Sequence, residues 1–276
     1  MATTQESGEF PHPSAEARNG AGKTLYSAQR QQAIMRRLRS EGQVDSAEVA
    51  RSLEVTNETV RKDLIQLQKR GLLRRVHGGA VPIGDHSYES DVATRTQFSE
   101  EKRRIATAAL AQLPTSGSVL VDAGSTMAQF AELFPDDREL TVFTNALPIA
   151  LSLLGRPHLT VFTIGGRLRS KTVATVGSWT ARMLEEINVD VAFLGTNGIS
   201  LERGLTTPDP AEARIKNLMA QSAQRRILLA DHSKYGMVSL VKHADLADIE
   251  LLITDTGLPA ADVARLTRAG LTVEQT

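Results

Sequence analysis

The chain contains no cysteine. That excludes disulfides, thiolate metal sites and cysteine nucleophiles, and it fits a reducing cytoplasm. Aromatic residues make up 4% of the sequence, with a single tryptophan, and the six histidines show none of the HxxxH or HExxH spacing that holds zinc. No metal or cofactor is therefore expected. No run approaches the roughly eighteen apolar residues that a membrane-spanning helix needs. The opening stretch MATTQESGEFPHPSAEARNGAGK has neither a basic start ahead of an apolar core nor a cleavage signature. Membrane insertion and secretion are not expected, and a cytoplasmic location is.

What the 276 residues do contain is enough apolar material, 41%, for one large core or two smaller ones. The formal net charge of zero conceals an uneven distribution. Residues 27–83 carry eleven Lys and Arg against six Asp and Glu, a net of +5, whereas residues 84–276 carry nineteen against twenty-three, a net of −4. A small basic module joined to a larger acidic one predicts nucleic-acid binding at the N-terminal side, because phosphate contacts supply much of DNA affinity.

Residues 1–26 are rich in Gly, Ser, Ala, Glu and Pro, have few large apolar groups, and read as a disordered tail. A helix capped by Ser27 runs to about Ser40 and stops at Gly42; Val44 is a brief extended link. Asp45 and Glu48 form a D-x-x-E capping pattern ahead of a short helix to Leu53. Thr56 caps a longer helix to about Arg70, with Val60, Leu64 and Leu67 inward and Gly71 as the stop. In LLRRVHGGAV, Gly78-Gly79 reads as a tight turn between two arms of a wing. Residues 84–98 lack periodicity and read as a linker. From Ser99 on, an opening helix is followed by the β-rich runs SVLVDAG, LTVFTN, HLTVFTIGG, VDVAFLG, RRILLAD and IELLITD, several of them separated by helical stretches. That alternation predicts an α/β domain over 99–276 with a largely parallel sheet.

The second helix of the basic module opens with Thr56, Asn57, Glu58, Thr59, Arg61 and Lys62. A recognition helix keeps its apolar face on the core while its first turns offer hydrogen-bonding groups to base edges. Thr56 and Thr59 suit phosphate or base edges, Asn57 suits adenine, and Arg61 or Lys62 suits guanine or phosphate. Glu58 accepts from cytosine or orients an arginine. Arg74, Arg75 and His77 on the wing would follow the DNA backbone or enter the minor groove. Charge alone would describe any solvated helix; the capped helix pair, the apolar register and the glycine wing point to double-stranded DNA.

In the larger domain, Asp122-Ala-Gly124-Ser125-Thr126 joins an apolar strand to a helix N-terminus, a natural anion site because unpaired N–H groups point at the ligand. Thr144-Asn145, Gly165-Gly166-Arg167 and Gly195-Thr-Asn197-Gly198 close three further strands. Ligands of open α/β sheets bind outside the carboxyl ends of strands, so the four segments are expected to converge on one crevice.

From Arg30 to Val81 the chain resembles the winged helix-turn-helix of the DeoR family of bacterial regulators, through Arg30 with Ile34, VTNETVRKDL over 55–64 and LLRRVHGGA over 72–80. Thr56-Asn57 stands where the family more often has a Ser-Glu-like capping pair. From Glu100 to Asp255 the chain is similar to the C-terminal sensor domain of the same family, through DAGST at 122–126, TN at 144–145, GG at 165–166, DVAFLGTNG at 190–198, EARIK at 212–216 and ADHSKY at 230–235. The resemblance implies a transcriptional regulator, a repressor of a sugar-use operon, with a phosphorylated sugar as effector and a homo-oligomer, dimer or tetramer, as the working form. It places Asp122, Ser125 and Thr126 on phosphate or a neighbouring hydroxyl, with Lys216 or Lys234 as a counter-charge; among the remaining acids, Glu212 suits the orientation of a ligand hydroxyl. The sensor fold of this family is similar to ribose-5-phosphate isomerase, so an isomerase with an accessory DNA-binding module is the alternative. Such an enzyme needs a carboxylate base, which the isomerase places just after a strand-ending glycine. This chain has Asn197 and Gly198 there, and no catalytic residue is assigned.

Overall fold

The computed structural model describes residues 26–70, 72–76, 78–82, 89 and 91–276. The expected tail up to residue 25, the helix stop at Gly71 and the wing residue His77 lie outside the described residues.

The N-terminal unit comprises α1 (Ser27–Glu41), β1 (Val44–Asp45), α2 (Ser46–Ser52), α3 (Asn57–Lys69), β2 (Arg74–Val76) and β3 (Gly79–Val81). Gly42 ends α1 in the left-handed region, φ 72°. Asp45 caps α2 by accepting from the amides of Ala47 and Glu48, both at 2.9 Å. Thr56 caps α3 by accepting from the Thr59 amide at 3.2 Å. Two expectations need correction. Tyr26, not Ser27, is the N-cap of α1, because the Ser27 hydroxyl donates instead to Asp63 at 2.9 Å. The glycine pair of the wing is not a two-residue turn: the register pairs Val76 with Gly79, which leaves Gly78 in the turn at φ 79° and Gly79 in the strand. Gly79 is needed for a close approach, since a Cβ there would fall 1.7 Å from the Val44 carbonyl oxygen. β1, β3 and β2 form a small antiparallel sheet against the three helices. Ile34, Leu38, Val49, Val60, Leu64, Leu67 and Leu73 fill the core between them.

The C-terminal unit begins with α4 (Ser99–Ala109) and continues through β4 (Ser116–Val121), α5 (Ser125–Glu132), β5 (Glu139–Thr144), α6 (Leu147–Leu153) and β6 (Leu159–Thr163). The hairpin β7 (Arg167–Arg169) and β8 (Ala174–Val176) leads into α7 (Ser178–Glu185) and β9 (Val189–Leu194). Then come β10 (Gly198–Ser200), β11 (Gly204–Thr207), α8 (Pro210–Gln221), β12 (Ala223–Leu229), β13 (Val241–Ala244), β14 (Leu251–Thr254), α9 (Ala260–Arg268) and β15 (Thr272–Gln275).

Seven strands make one parallel sheet in the order β15-β14-β12-β9-β4-β5-β6. Its central strands are near-continuous apolar runs because both faces are covered. Val119, Val121, Phe193 and Ile227 pack on one face with Ile105 of α4, Phe130 of α5 and Ile149 of α6. Leu120, Ala192, Leu194 and Leu228 pack on the other with Leu184 of α7, Met219 of α8 and Leu266 of α9. A second, antiparallel sheet of β10, β11 and β13 lies beyond the strand ends. The α/β class and the six strand runs read from the sequence are those of the large sheet. The seventh strand, β15, and the hairpin were not anticipated, because their short polar runs TVEQ, RLR and ATV carry no apolar stretch.

Candidate DNA-reading face and effector cavity

On α3, Thr56, Asn57, Glu58, Arg61 and Lys62 are all exposed, while Val60, Leu64 and Leu67 are buried. The half-buried Thr59 has its hydroxyl 2.9 Å from that of Thr56, so this pair is partly spent on capping. Arg61 faces Glu58 at 3.7 Å, a loose surface pair that leaves the guanidinium free to move to another anion. Arg74 and Arg75 are half-buried on the wing. Burial, and then the nearby Arg61 charge, lower the Arg75 pKa. The helix is aimed by a buried lock that the sequence reading missed. Asp63 accepts from Ser27 at 2.9 Å, from Arg30 at 2.7 Å and from Gln31 at 3.4 Å, fastening α3 to α1. Asp63 is spaced like a solvent-facing acid in the sequence; only the docked α1 makes it interior.

The second site is a cavity of about 380 Å³ at the carboxyl ends of β4, β9 and β12. Its floor includes Asp122, Gly124, Ser125, Thr126, Asn145, Gly195, Asn197, Glu212, Lys216 and Lys234, so most of the expected effector residues do converge. α5 begins here without a side-chain cap. The Ala128 amide is the first to bond back into the helix, to Gly124, so the amides of Ser125, Thr126 and Met127 have no intrahelical acceptor. Gly124, at φ 141°, allows this abrupt strand-to-helix step.

Asp122 is fully buried, and its carboxylate is already engaged. It accepts from the Ala123 amide at 2.7 Å, from the Gly195 amide at 3.0 Å and from Lys216 Nζ. Lys216 also donates to the Gly195 carbonyl at 3.1 Å. Asp122 is therefore placed to hold Lys216 rather than to touch an anion itself. Asn145 donates to the Thr175 carbonyl at 3.0 Å, and its buried Oδ1 has no hydrogen-bond partner among the described residues, an acceptor available to a ligand hydroxyl. Asn197 Oδ1 accepts from the Thr207 hydroxyl at 3.0 Å.

Glu212 accepts from Arg169 at 3.3 Å and from the Thr172 hydroxyl, and Arg169 also pairs with Glu89 at 2.6 Å and Asp209 at 3.1 Å. Burial, followed by the neighbouring Glu89 charge, raises the Glu212 pKa. At the opposite wall, Lys102 donates to the carbonyls of Arg95 at 2.9 Å and Gln97 at 2.8 Å. Burial lowers its pKa to about 8. Desolvation also lowers the Lys234 pKa, opposed by Asp231, whose carboxylate lies 4.0 Å away. His232 pairs with Asp255 at 2.6 Å and packs edge-on to Phe98. His243, buried beside Thr196 at 3.2 Å, is held neutral with a pKa lowered to about 3 by burial and then by Lys216.

Five expected residues do not line the cavity. Thr144 is buried, with its hydroxyl accepting from the Ala146 amide at 3.1 Å. Gly165, Gly166 and Arg167 follow β6, the edge strand, and turn aside into the hairpin: the Gly165 amide meets the Met183 sulfur at 3.2 Å, and Arg167 is exposed. A Cβ on Gly166 would fall 2.0 Å from the Thr180 hydroxyl, so this glycine serves helix packing. Gly198 lets the chain pass the Met237 carbonyl, 2.3 Å from where its Cβ would be. The hairpin instead sends Thr172 to the cavity wall, with Arg169 behind Glu212. Glu89, Arg95, Phe98, Lys102 and Thr172 were missed, since the linker, an amphipathic helix and a hairpin turn give no local sign of a binding role. His232 and Ser233, which also line the cavity, sit inside the quoted ADHSKY run and were legible in it. The cavity wall is completed from the basic module by Arg61, Gln68, Arg74, Arg75 and Val76.

A capped helix with an exposed polar first turn beside a wing, and a cation-lined crevice in the same chain, are the parts of the class of ligand-responsive DNA-binding regulators. Residues 30–85 match the DeoR-like helix-turn-helix domain and residues 97–256 match the DeoR C terminal sensor domain. The chain belongs to the DeoR family of transcriptional regulators. It is 40% identical over 222 residues to the HTH-type transcriptional regulator GlpR of Haloferax volcanii, covering 80% of this chain and 87% of that one. It is 31% identical over 232 residues to the HTH-type transcriptional repressor GlcR of Bacillus subtilis, covering 84% and 89%. Among solved structures it is similar to ribose 5 phosphate isomerase A from Neisseria gonorrhoeae, at 17% identity and a TM-score of 0.37, covering 51% of this chain and 54% of that chain.

Proposed function

We propose that this protein is a cytoplasmic repressor that binds operator DNA as a homo-oligomer, dimer or tetramer, and releases it when a phosphorylated sugar enters the cavity. Residues 27–83 act as the reader, 84–98 as the linker and 99–276 as the sensor and oligomerisation domain. Thr56, Asn57, Glu58, Thr59, Arg61, Lys62, Arg74, Arg75 and His77 form the reading set. No helix among the described residues is long and apolar enough to cross a membrane.

The observation that carries the effector reading is the uncapped start of α5 beside Lys216. Backbone amides and a cation meeting at one end of a cavity suit a phosphate, and Asn145 Oδ1 and Asn197 suit sugar hydroxyls. Arg61, Arg74 and Arg75 border the same cavity, so filling it bears directly on groups that would otherwise meet DNA phosphate. A ligand shifts the equilibrium only through its different affinity for the DNA-competent and released states.

Turnover is not part of the proposal. Asp122 is held by Lys216 and Glu212 by Arg169 and Thr172, which leaves neither as a free base at a reacting carbon. The test is a gel shift with promoter DNA next to the protein's own gene, run with a panel of sugar phosphates. A complex that one or more of them dissolve is expected; a complex indifferent to all of them removes the effector. Isomerisation of ribose 5-phosphate by the purified protein would restore the enzyme reading.

A further inference from the structure

Seven of the ten large hydrophobic side chains exposed among the described residues fall between positions 147 and 183. They gather along one border of the large sheet. Among the described residues β6 pairs only with β5, which leaves its outer edge without a strand partner there. Phe162 of β6 is 49% exposed and stacks on Phe143 at 4.9 Å. On one side of this edge, Leu147, Leu151 and Leu154 follow each other at helical spacing along and just beyond α6, 42%, 63% and 71% exposed. On the other, Trp179 and Met183 are one turn apart on α7, 74% and 41% exposed. Leu168 on the hairpin, 49% exposed, joins the two. Hydrogen bonds make the band continuous: the Leu147 amide donates to the Val173 carbonyl at 3.1 Å, and the Gly165 amide meets the Met183 sulfur at 3.2 Å.

An open strand edge flanked by apolar side chains is a template for another chain, and proteins that keep such edges in solution normally blunt them with charge or proline. β6 reads LTVFT and contains neither. Aromatic side chains bury roughly 150–250 Å² each, so Phe162 and Trp179, 49% and 74% exposed, supply a share of the about 800 Å² per partner of a stable standard-sized interface, and the five exposed Leu and Met side chains around them extend it. The charges beside the band are of both signs, Arg182 and Glu185 on the same helix α7, so the surface can meet itself across a two-fold without opposing only like charges.

We propose that the β6 edge, with α6, α7 and the β7–β8 hairpin, is the surface through which two copies of this chain pair. The oligomer named under the proposed function is thereby given a place. The hairpin also gives it a link to the cavity: Leu168 lies in the interface, while the next residue, Arg169, holds Glu212 at the cavity wall. The pairing itself needs neither DNA nor effector, so its failure is separable from failure of the regulator reading.

Trp179 is the sole tryptophan, so its emission reports this surface alone. The full chain, free of DNA and sugar phosphate, is followed by sedimentation equilibrium and by tryptophan emission over a dilution series. The expected result is a dimer or a multiple of it at micromolar concentration, with Trp179 emission shifting to the red on dilution as the dimer parts. The double variant Leu151→Glu/Leu154→Glu and the single variant Leu168→Lys should weaken association by roughly thirtyfold or more, with unchanged circular dichroism because these side chains are exposed in the single chain, and melting should lose only its dependence on protein concentration. A wild-type monomer at all concentrations overturns the proposal. So does association that the variants leave untouched, or a Trp179 shift that only another protein produces.

Discussion

The two halves of the chain use charge in opposite ways. The reader keeps Arg61 and Lys62 outside on the first turns of α3, leaves Arg74 and Arg75 of the wing half-buried, and buries one carboxylate, Asp63, to fasten α3 against α1. The sensor does the reverse, burying Asp122, Glu212, Lys102 and Lys216 around a cavity while its outer border is apolar. A surface that must meet a long polyanion from solution needs mobile, hydrated cations. A pocket that must tell one small anion from another needs cations fixed in place and screened from water. Damage to an exposed reading cation should therefore leave stability alone, whereas breaking a buried ion pair of the sensor should cost both stability and response.

The strongest way to break this contrast is Lys216→Met. It strands Asp122 in the interior, and removing one member of a buried ion pair costs about 3–5 kcal/mol. Chemical denaturation should show that loss; a variant as stable as the parent would mean that the pair is wet and the contrast overstated. Ser125→Asp should come next in effect. A carboxylate at the first position of α5 suits the helix end but repels phosphate, so operator binding and melting should persist while effector affinity, read by calorimetry with the sugar phosphate that dissolves the gel-shift complex, falls at least about tenfold, about 1.4 kcal/mol. Full response would locate the phosphate elsewhere in the cavity.

Arg61→Ala should weaken specific DNA binding by about 1–3 kcal/mol at fixed salt, with the thermal transition unchanged. A change in melting without a change in affinity would make Arg61 structural. Thr56→Ala removes the α3 cap and should cost about 1 kcal/mol of stability, measured in urea. The smallest effect is a pH dependence. Burial holds the Lys102 pKa near 8 against an ordinary 10.5, so Lys102 is charged below about 8 and neutral above it. Phosphate-effector affinity should fall a few-fold as pH rises through that value and should do so less in Lys102→Met. The unfolded chain binds the extra proton between 8 and 10.5, so stability should rise with pH across the same interval. A flat affinity profile would take Lys102 out of the anion's reach.

Much of the reader was legible because its signals are local. Asp45 and Thr56 cap the helices they precede, and Val60, Leu64 and Leu67 repeat at the spacing that buries them. The sheet was legible for the same reason: its central strands are apolar on both faces. The cavity was legible in the residues themselves where strands end in small, hydroxyl or amide groups, as at Gly124–Thr126, Asn145 and Gly195–Asn197, and through the family resemblance at Lys216 and Lys234 on later elements. Extending the strand-end rule to Gly165–Arg167 failed because β6 is an edge strand and its exit folds into a hairpin rather than back over the sheet. Lys102 was invisible for another reason. In sequence it resembles any lysine on an amphipathic helix, and it becomes interior only when the linker carbonyls of Arg95 and Gln97 close over it.

Asp122 touches Ala123, Gly195 and Lys216, and so joins the ends of two neighbouring strands to a helix. A cation already satisfied inside the protein yields to an incoming anion only the difference between two attractions. With the effector proposed above, the site built around it would work as a gauge rather than a trap: it would fill and empty as metabolite levels rise and fall, and a tighter grip, won by freeing Lys216, would leave the regulator permanently saturated and blind to supply.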